Sequence, residues 1–268
     1  MKVKAIITDL DRTLLHTDKS VSEHTRAVLK KCRDRGILIF AASARPIRDV
    51  LIYSDLIGFD AITATNGAVV SLPQNRLELG IPYESGEKIL SAILQYPDVF
   101  LSIETSKGLY SNREIPVWEP VVWDRFPALP EDVILYKILA SSGEKPLYEG
   151  IEATLTDDVY YTIANNDLIQ IMKKEATKWN GIQKMLSHFG ISPSDAVYFG
   201  DDNDDIEPIK KCGLGVAVSN AIPSVLSVAD HVTEGNDQDG VAKYLDKTIL
   251  TQKEIKMCFQ SKKRRDQC

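Results

Sequence analysis

The chain has 268 residues with a formal net charge of -6, and 44% of its residues are hydrophobic, 26% charged and 7% aromatic. That balance is globular and excludes collagen-like, mucin-like and wholly disordered chains; at roughly 150 residues per domain it suits one large domain, or a core carrying a smaller one. Apolar stretches such as Gly36 to Ala42 fall far short of the ~20 residues of a membrane span, and an acidic body argues against nucleic acid as a partner.

In chain order, Val3 to Thr8 is a β-branched and apolar run closing on Asp9, which predicts a buried strand of a parallel sheet. Charge comes too early in this segment for a secretory leader, so a cytoplasmic protein is expected. Ser22 is placed to cap a helix with Ala27, Val28 and Cys32 on one face, and Gly36 to stop it. Ile37 to Ala42 predicts a second strand. Pro46 opens a second helix with Val50 and Leu51 inward, and Ala61 to Thr65 predicts a third strand. Strands alternating with helices over short connections imply an α/β fold: a doubly wound parallel sheet with right-handed crossovers, whose ligands bind beyond the carboxyl ends of its strands.

The pattern then changes. Between about residues 83 and 170, strand-like runs at Phe100–Glu104, Tyr136–Leu139 and Val159–Ala164 mix with helical stretches at Glu87–Leu94 and Pro146–Ala153, which predicts an inserted α+β domain. Trp118, Pro120, Trp123, Phe126, Pro127 and Pro130 crowd one loop of it. The first pattern returns with a helix at Thr177–Phe189, a strand at Ala196–Phe199, a helix from about Asp204 and a strand at Val216–Val218. Residues 1–82 and 171–250 are therefore expected to build one core, with 83–170 inserted and 251–268 a basic tail. That tail holds six Lys/Arg against two Asp/Glu, and a short terminal charge run reads as a solvated end. Cys32, Cys212, Cys258 and Cys268 show no C-x-x-C pairing and no zinc-finger spacing to His, so reduced thiols are expected.

Chemistry concentrates at the predicted strand ends. Asp9 and Asp11 in Asp9-Leu-Asp11-Arg-Thr13 lie two apart on an extended chain and face one space. Two carboxylates that close call for a divalent cation or a shared proton, although an acidic turn has the same composition. Gly200-Asp201-Asp202-Asn203-Asp204-Asp205 places four carboxylates at a helix start. A helix dipole favours an acid there by only about 0.3 to 1 kcal/mol, so a bound cation explains the run better. Oxygen donors without His or Cys point to magnesium rather than zinc, and the calcium-loop spacing is absent. Ser43 closes the second strand, placed to offer its hydroxyl and backbone N–H to a phosphoryl oxygen, and Lys178 opens a helix where it would balance the charge.

Taken in order, D-x-D-x-T, a Ser after the second strand, Lys and G-D-x-x-x-D resemble the haloacid dehalogenase-like phosphohydrolase superfamily, and within it the Cof-type sugar-phosphatase group. The resemblance extends over about residues 1–248 and includes Asn66-Gly67-Ala68, Asp167 to Met172 before Lys178, Gly213 to Ala221, and Asp239-Gly240-Val241. It implies a Rossmann-like core with the insert as an α/β cap, and a Mg2+-dependent phosphatase of small phosphorylated metabolites, sugar phosphates foremost. By the same resemblance, Asp9 is the nucleophile that becomes an aspartyl phosphate. Asp11 is the general acid/base, a task suited to a carboxyl whose pKa is lifted by acidic neighbours. Asp9, the main-chain carbonyl of Asp11, Asp201 and Asp205 hold Mg2+, with Asp204 in the same acidic run counted among the candidate ligands. Thr13, Ser43, Ala44 and Lys178 bind the phosphoryl group, Thr13 also supporting the nucleophile loop.

Three positions depart from that pattern: Arg12 stands for the usual Gly, Ser43-Ala44-Arg45 for Thr-Gly-Arg, and Asp204 for the Asn of G-D-x-x-N-D. None removes a proposed catalytic group. The alternatives are a sugar-phosphate phosphomutase, a catalytically weak ligand-binding member of the same superfamily, and a receiver-type phosphoacceptor module, against which Asp11 and the long insert both argue. Specificity is assigned to the cap, with Tyr110, Asn112, Arg113 and Lys137 as polar candidates, and the sequence assigns no oligomeric state.

Overall fold

The computed structural model describes residues 3–96, 98–116, 120–123, 130, 132–141, 145–164 and 168–251. They fall into two compact units, one of residues up to Leu77 and from Thr177 onward, the other Glu78–Ala176.

The first unit is built on strands β1 (Ala5–Thr8), β2 (Leu38–Ala42), β3 (Ala61–Ala64) and β4 (Val69–Ser71), then β5 (Arg76–Glu78), which begins in it. After the insert come β12 (Ala196–Gly200), β13 (Leu214–Val218) and β14 (His231–Thr233). The sheet order is β14-β13-β12-β1-β2-β3-β4-β5. From β14 to β3 every pair is parallel, and β4 turns antiparallel against β3. β1, β3, β12 and β13 are buried along their whole length, as their unbroken apolar sequences require.

Helices α1 (Glu23–Asp34), α2 (Ile47–Ile57), α5 (Lys178–His188), α6 (Ile206–Lys211), α7 (Pro223–Leu226) and α8 (Gly240–Tyr244) complete this unit. α1 packs on α2 and α8, and α5 on α6. The chain steps one way from β1 through β2 to β3 and the other way from β12 through β13 to β14, so right-handed crossovers put the two helix groups on opposite faces. The order therefore reverses between β1 and β12, which is the switch point where ligands bind in such sheets.

Two facing residues differ from expectation. In α1, Thr25, Val28, Leu29 and Cys32 are buried while Ala27 is exposed, because the stripe follows a 3.6-residue period from the Ser22 cap. In α2, Val50, Tyr53 and Ile57 face inward and Leu51 is 41% exposed. Cys32 and Cys212 are buried free thiols, and burial pushes the Cys32 thiol up to about 11, which keeps it unreactive. Cys258, Cys268 and the basic tail lie outside the described residues, as do Asp167, Trp118, Phe126 and Pro127.

The second unit holds α3 (Tyr83–Ile93), β6 (Phe100–Thr105), β7 (Gly108–Ser111), β8 (Val121–Val122), β9 (Leu135–Ser141), α4 (Lys145–Glu152), β10 (Val159–Ala164) and β11 (Leu168–Lys173). Its sheet runs β10-β11-β9-β6-β7-β8, antiparallel except for β7 with β8. Leu101, Ile103, Ile138, Ala140, Ile169 and Ile171 alternate along the strands and bury one face with Ile89 and Ile93 of α3 and Leu147 and Ile151 of α4. Because β11 runs to Lys173 in this sheet, the unit reaches Ala176 rather than stopping near 170.

Candidate active site

Asp9 follows β1 directly, its N–H donating to the carbonyl of Phe199 on β12 at 2.9 Å. Asp201 and Asp205 follow β12, and Lys178 is the first residue of α5, which Thr177 caps by accepting from the Asn180 N–H. Packing of α5 against β3 brings Lys178 Nζ to 2.7 Å from Asp9 Oδ1, 2.7 Å from Asp205 Oδ1 and 3.1 Å from Asp204 Oδ1. Thr13 donates to Asp201 Oδ1 at 2.7 Å. Thus Asp9, Thr13, Lys178, Asp201, Asp204 and Asp205 come together at the switch point.

Asp9, Asp201 and Asp205 are buried, and each offers a carboxylate oxygen within 4.8 Å of the others. The electrostatics are severe. Burial raises the Asp9 carboxyl well above its ordinary value; Lys178 opposes this, while Asp205, Asp204 and Asp201 reinforce it. Burial lifts Asp201 to about 6, against its Thr13 bond and with Asp205 adding to the rise. For Lys178 burial favours the neutral amine, but Asp204, Asp205 and Asp9 overcome it and hold the ammonium. One lysine faces four acids, three of them buried, so three hard oxygen donors with no His or Cys fit a hard divalent cation.

Asp205 is the fixed member. Its Oδ2 accepts from the N–H groups of Asp201 and Asp202 at 2.8 and 3.0 Å, and its Oδ1 accepts from Tyr198 Oη at 2.6 Å. Asp202 stands apart as a helix cap, accepting from the Asn203 N–H. Asp204 is outside this group of three candidate oxygen donors: beyond Lys178, its Oδ2 accepts from Asn66 Nδ2 at 3.0 Å.

Asp11 corrects the expectation of a raised pKa. Burial would raise it, but Arg45 grips it with Nε at 2.5 Å and Nη2 at 2.6 Å, and Lys19 Nζ donates at 2.6 Å, so its carboxyl lies below the ordinary value. Its near neighbours are cations rather than acids. A second correction concerns Ser43: its N–H donates to Thr63 O at 2.9 Å, continuing the ladder from β2 to β3, so only its hydroxyl remains to offer. Ser43 is 1% exposed, and its Oγ accepts from the Arg45 N–H at 3.2 Å, while Ala44 beside it is exposed.

Arg12 adopts the conformation that a glycine would favour, at φ 60° and ψ 7°, a left-handed turn costing a non-glycine residue about 1 kcal/mol. Asn220 holds it, donating to the Arg12 carbonyl at 2.8 Å and accepting from its Nη2 at 3.3 Å. The polar candidates of the insert all bond or stack within that unit, Arg113 on its surface. Asn112 bonds the backbone of Leu101 and Val99, Arg113 donates to Asp98 O, Tyr110 stacks on Trp123 at 4.1 Å, and Lys137, 5% exposed, donates to Gln170.

Sequence reasoning gave no role to Arg45 and Asn66, although both stand in motifs that carry the resemblance, and it missed Lys19 and Tyr198. Tyr198 left a signal of its own, a phenol in an otherwise apolar buried strand, which requires a partner for its hydroxyl.

Residues 6–245 match the family model described as haloacid dehalogenase-like hydrolase. The chain belongs to that family. Among its relatives is the 5-amino-6-(5-phospho-D-ribitylamino)uracil phosphatase YitU of Bacillus subtilis, 28% identical over 90% of this chain and 95% of that protein. Another is the phosphoglycolate phosphatase of Methanopyrus kandleri, 26% identical over 91% and 96%. A solved structure of BT1666 from Bacteroides thetaiotaomicron, titled as one of the phosphatases of the superfamily, superposes with a TM-score of 0.78 at 26% identity, covering 91% of this chain and 94% of that one. In this haloacid dehalogenase-like hydrolase the strand-end residues Asp9, Asp201 and Asp205 lie beside Lys178. No helix among its described residues is long and apolar enough to cross a membrane.

Proposed function

We propose that this hydrolase is a Mg2+-dependent phosphatase of small phosphorylated metabolites, sugar phosphates foremost, acting through an aspartyl phosphate on Asp9. The observation that carries the reading is the position of Asp9: on the end of β1, paired with Lys178 and grouped with Asp201 and Asp205, with a second carboxylate two residues on. Two relatives named as phosphatases of unlike small phosphate esters support the substrate class.

In the first step the Asp9 carboxylate attacks phosphorus and the bond to the leaving oxygen breaks, that oxygen taking a proton from Asp11. In the second, Asp11 removes a proton from water as the water attacks phosphorus, releasing inorganic phosphate and restoring Asp9. Mg2+, held by Asp9, Asp201, Asp205 and the Asp11 carbonyl, would supply charge neutralisation between the anionic nucleophile and the anionic ester. Lys178, the Ser43 hydroxyl and the main chain at Ala44 stabilise the equatorial oxygens. Thr13 holds Asp201 in place. With Arg45 and Lys19 bound, Asp11 is in its base form, suited to the second step; for the first, the substrate dianion draws one of these cations away and Asp11 takes up a proton from solvent.

The test is inorganic phosphate release from a panel of sugar phosphates, nucleotides and cofactor phosphates, with Mg2+ or EDTA, for wild type and Asp9→Asn. Release that requires Mg2+ and vanishes in Asp9→Asn is expected. No release from any compound by folded, Mg2+-binding protein would overturn the proposal.

A further inference from the structure

Lys178 Nζ faces three carboxylates: it donates hydrogen bonds to Asp9 and Asp205 at 2.7 Å each and pairs with Asp204 at 3.1 Å. The lysine is 3% exposed, so water does not supply a spare partner. An ammonium has three donors, two of them bonded to Asp9 and Asp205. A phosphoryl oxygen that takes the third must come in beside the carboxylate of Asp204.

The three are not equally able to leave. Asp205 is fully buried and bound through both oxygens to Tyr198 and to two main-chain N–H groups. Asp9 is 5% exposed and pinned through its own N–H to β12. Asp204 makes the longest of the three contacts, and its side chain is 33% exposed. Its other oxygen is held by Asn66, which sits at φ 55° between Thr65 at φ 50° and Gly67 at φ 104°. Three successive left-handed residues form a strained turn, and such strain persists where surrounding structure fixes it.

We propose that Asp204 is an internal competitor for the substrate's phosphoryl group. In the free enzyme its carboxylate holds the place beside Lys178 that a phosphoryl oxygen needs; the incoming dianion displaces it toward solvent, and its return helps to expel product phosphate. Asp204 is then a residue that sets phosphate affinity, and Asn66 is the positioning residue that seats it. This inference rests on the phosphatase reading of the same site. It assigns to this chain a built-in weakening of phosphate binding, since a neutral side chain at 204 would neither hold Lys178 as firmly nor repel the dianion.

The experiment is calorimetric binding of inorganic phosphate at saturating Mg2+, with a separate Mg2+ titration, for wild type, Asp204→Asn and Asn66→Ala. Removing one charge this close to a bound dianion is expected to tighten phosphate binding about tenfold and to lower KM in step, with Mg2+ affinity unchanged. Asn66→Ala is expected to move phosphate affinity the same way by less. If Asp204→Asn does not fold, as judged by circular dichroism, Asp204→Ser carries the same test. Unchanged phosphate affinity in a folded variant overturns the proposal. So does a loss of Mg2+ affinity without tighter phosphate binding, which would make Asp204 a metal ligand. Because binding needs no turnover, tighter phosphate binding in a protein that hydrolyses nothing would sink the phosphatase reading and leave the competitor standing.

Discussion

Gly67→Ala perturbs the site without touching any group that carries chemistry. Gly67 lies at φ +104°, and a Cβ built there falls 2.1 Å from Thr177 O, 2.6 Å from Thr177 C and 2.9 Å from Thr177 N. All three are main-chain atoms, so no rotamer change relieves the contact. An ordinary contact begins near 3.4 Å, and Thr177 must therefore retreat by roughly 1 Å. Thr177 caps α5, and the next residue is Lys178. A shift of that size breaks hydrogen bonds of 2.7 Å to Asp9 and Asp205, and a misplacement of ~1 Å costs about a hundredfold in rate. Stability falls by about 1–3 kcal/mol for overpacking and about 1–2 kcal/mol for the left-handed backbone. At roughly 2–4 °C per kcal/mol for a chain of this size, melting drops by about 4 to 20 °C. Gly190→Ala is the control at the other end of the same helix: it has φ +63° and nothing within 4 Å of the added atom, so it carries the backbone cost alone, about 1–2 kcal/mol, with an unchanged rate. Calorimetric melting and initial rates of phosphate release measure both. A Gly67→Ala protein that keeps the wild-type rate, or loses no more stability than Gly190→Ala, refutes the coupling from Gly67 to Lys178.

Lys178→Met leaves Asp9, Asp204 and Asp205 without their cation; about 3–5 kcal/mol of stability and at least about a hundredfold in rate are lost, with Mg2+ restoring part of the stability and none of the rate, measured by melting and phosphate release. Arg45→Ala and Lys19→Ala each remove a cation that favours ionised Asp11, so the limb of the pH–rate profile that titrates Asp11 moves to higher pH, and an unmoved limb counts against Asp11 as the acid/base. Metal-free protein loses stability as pH rises from the ordinary 3.8 to about 6, because folded Asp201 keeps a proton that the unfolded chain has released. The loss reaches up to about 3 kcal/mol, and Asp9, raised in the same sense, adds to it. Asp11 acts oppositely, contributing stability that disappears as pH falls through its depressed value. Chemical denaturation across pH with EDTA or Mg2+ checks this, and a flat EDTA curve contradicts it.

Much of this protein is local in its coding. Unbroken apolar runs of four to six residues ending in Asp9, Ser43 and Asp201, with capping residues such as Ser22 and Thr177 between them, specify buried parallel strands and their helices, because periodicity and capping act over a few residues. The carboxyl-end placement of the acids follows from that alone. Inward and outward faces are less local: Ala27 and Leu51 were misplaced because which flank of a helix is covered depends on its neighbour. The same holds for β11, whose apolar run joins the insert's sheet through its pairing with β9.

Tertiary structure decided the charge relations. Lys178 meets Asp9 across 169 positions of sequence, Arg45 reaches Asp11 across 34, and Asn66 reaches Asp204 across 138. Counting acids near Asp11 predicted a raised pKa, whereas the fold surrounds it with two cations and lowers it. Sequence by itself determines which residue types stand at the strand ends, since burial and turn chemistry are local. Only the packed sheet determines which of those ends meet, and protonation and affinity follow from charges a few ångströms apart in space, whatever their distance along the chain.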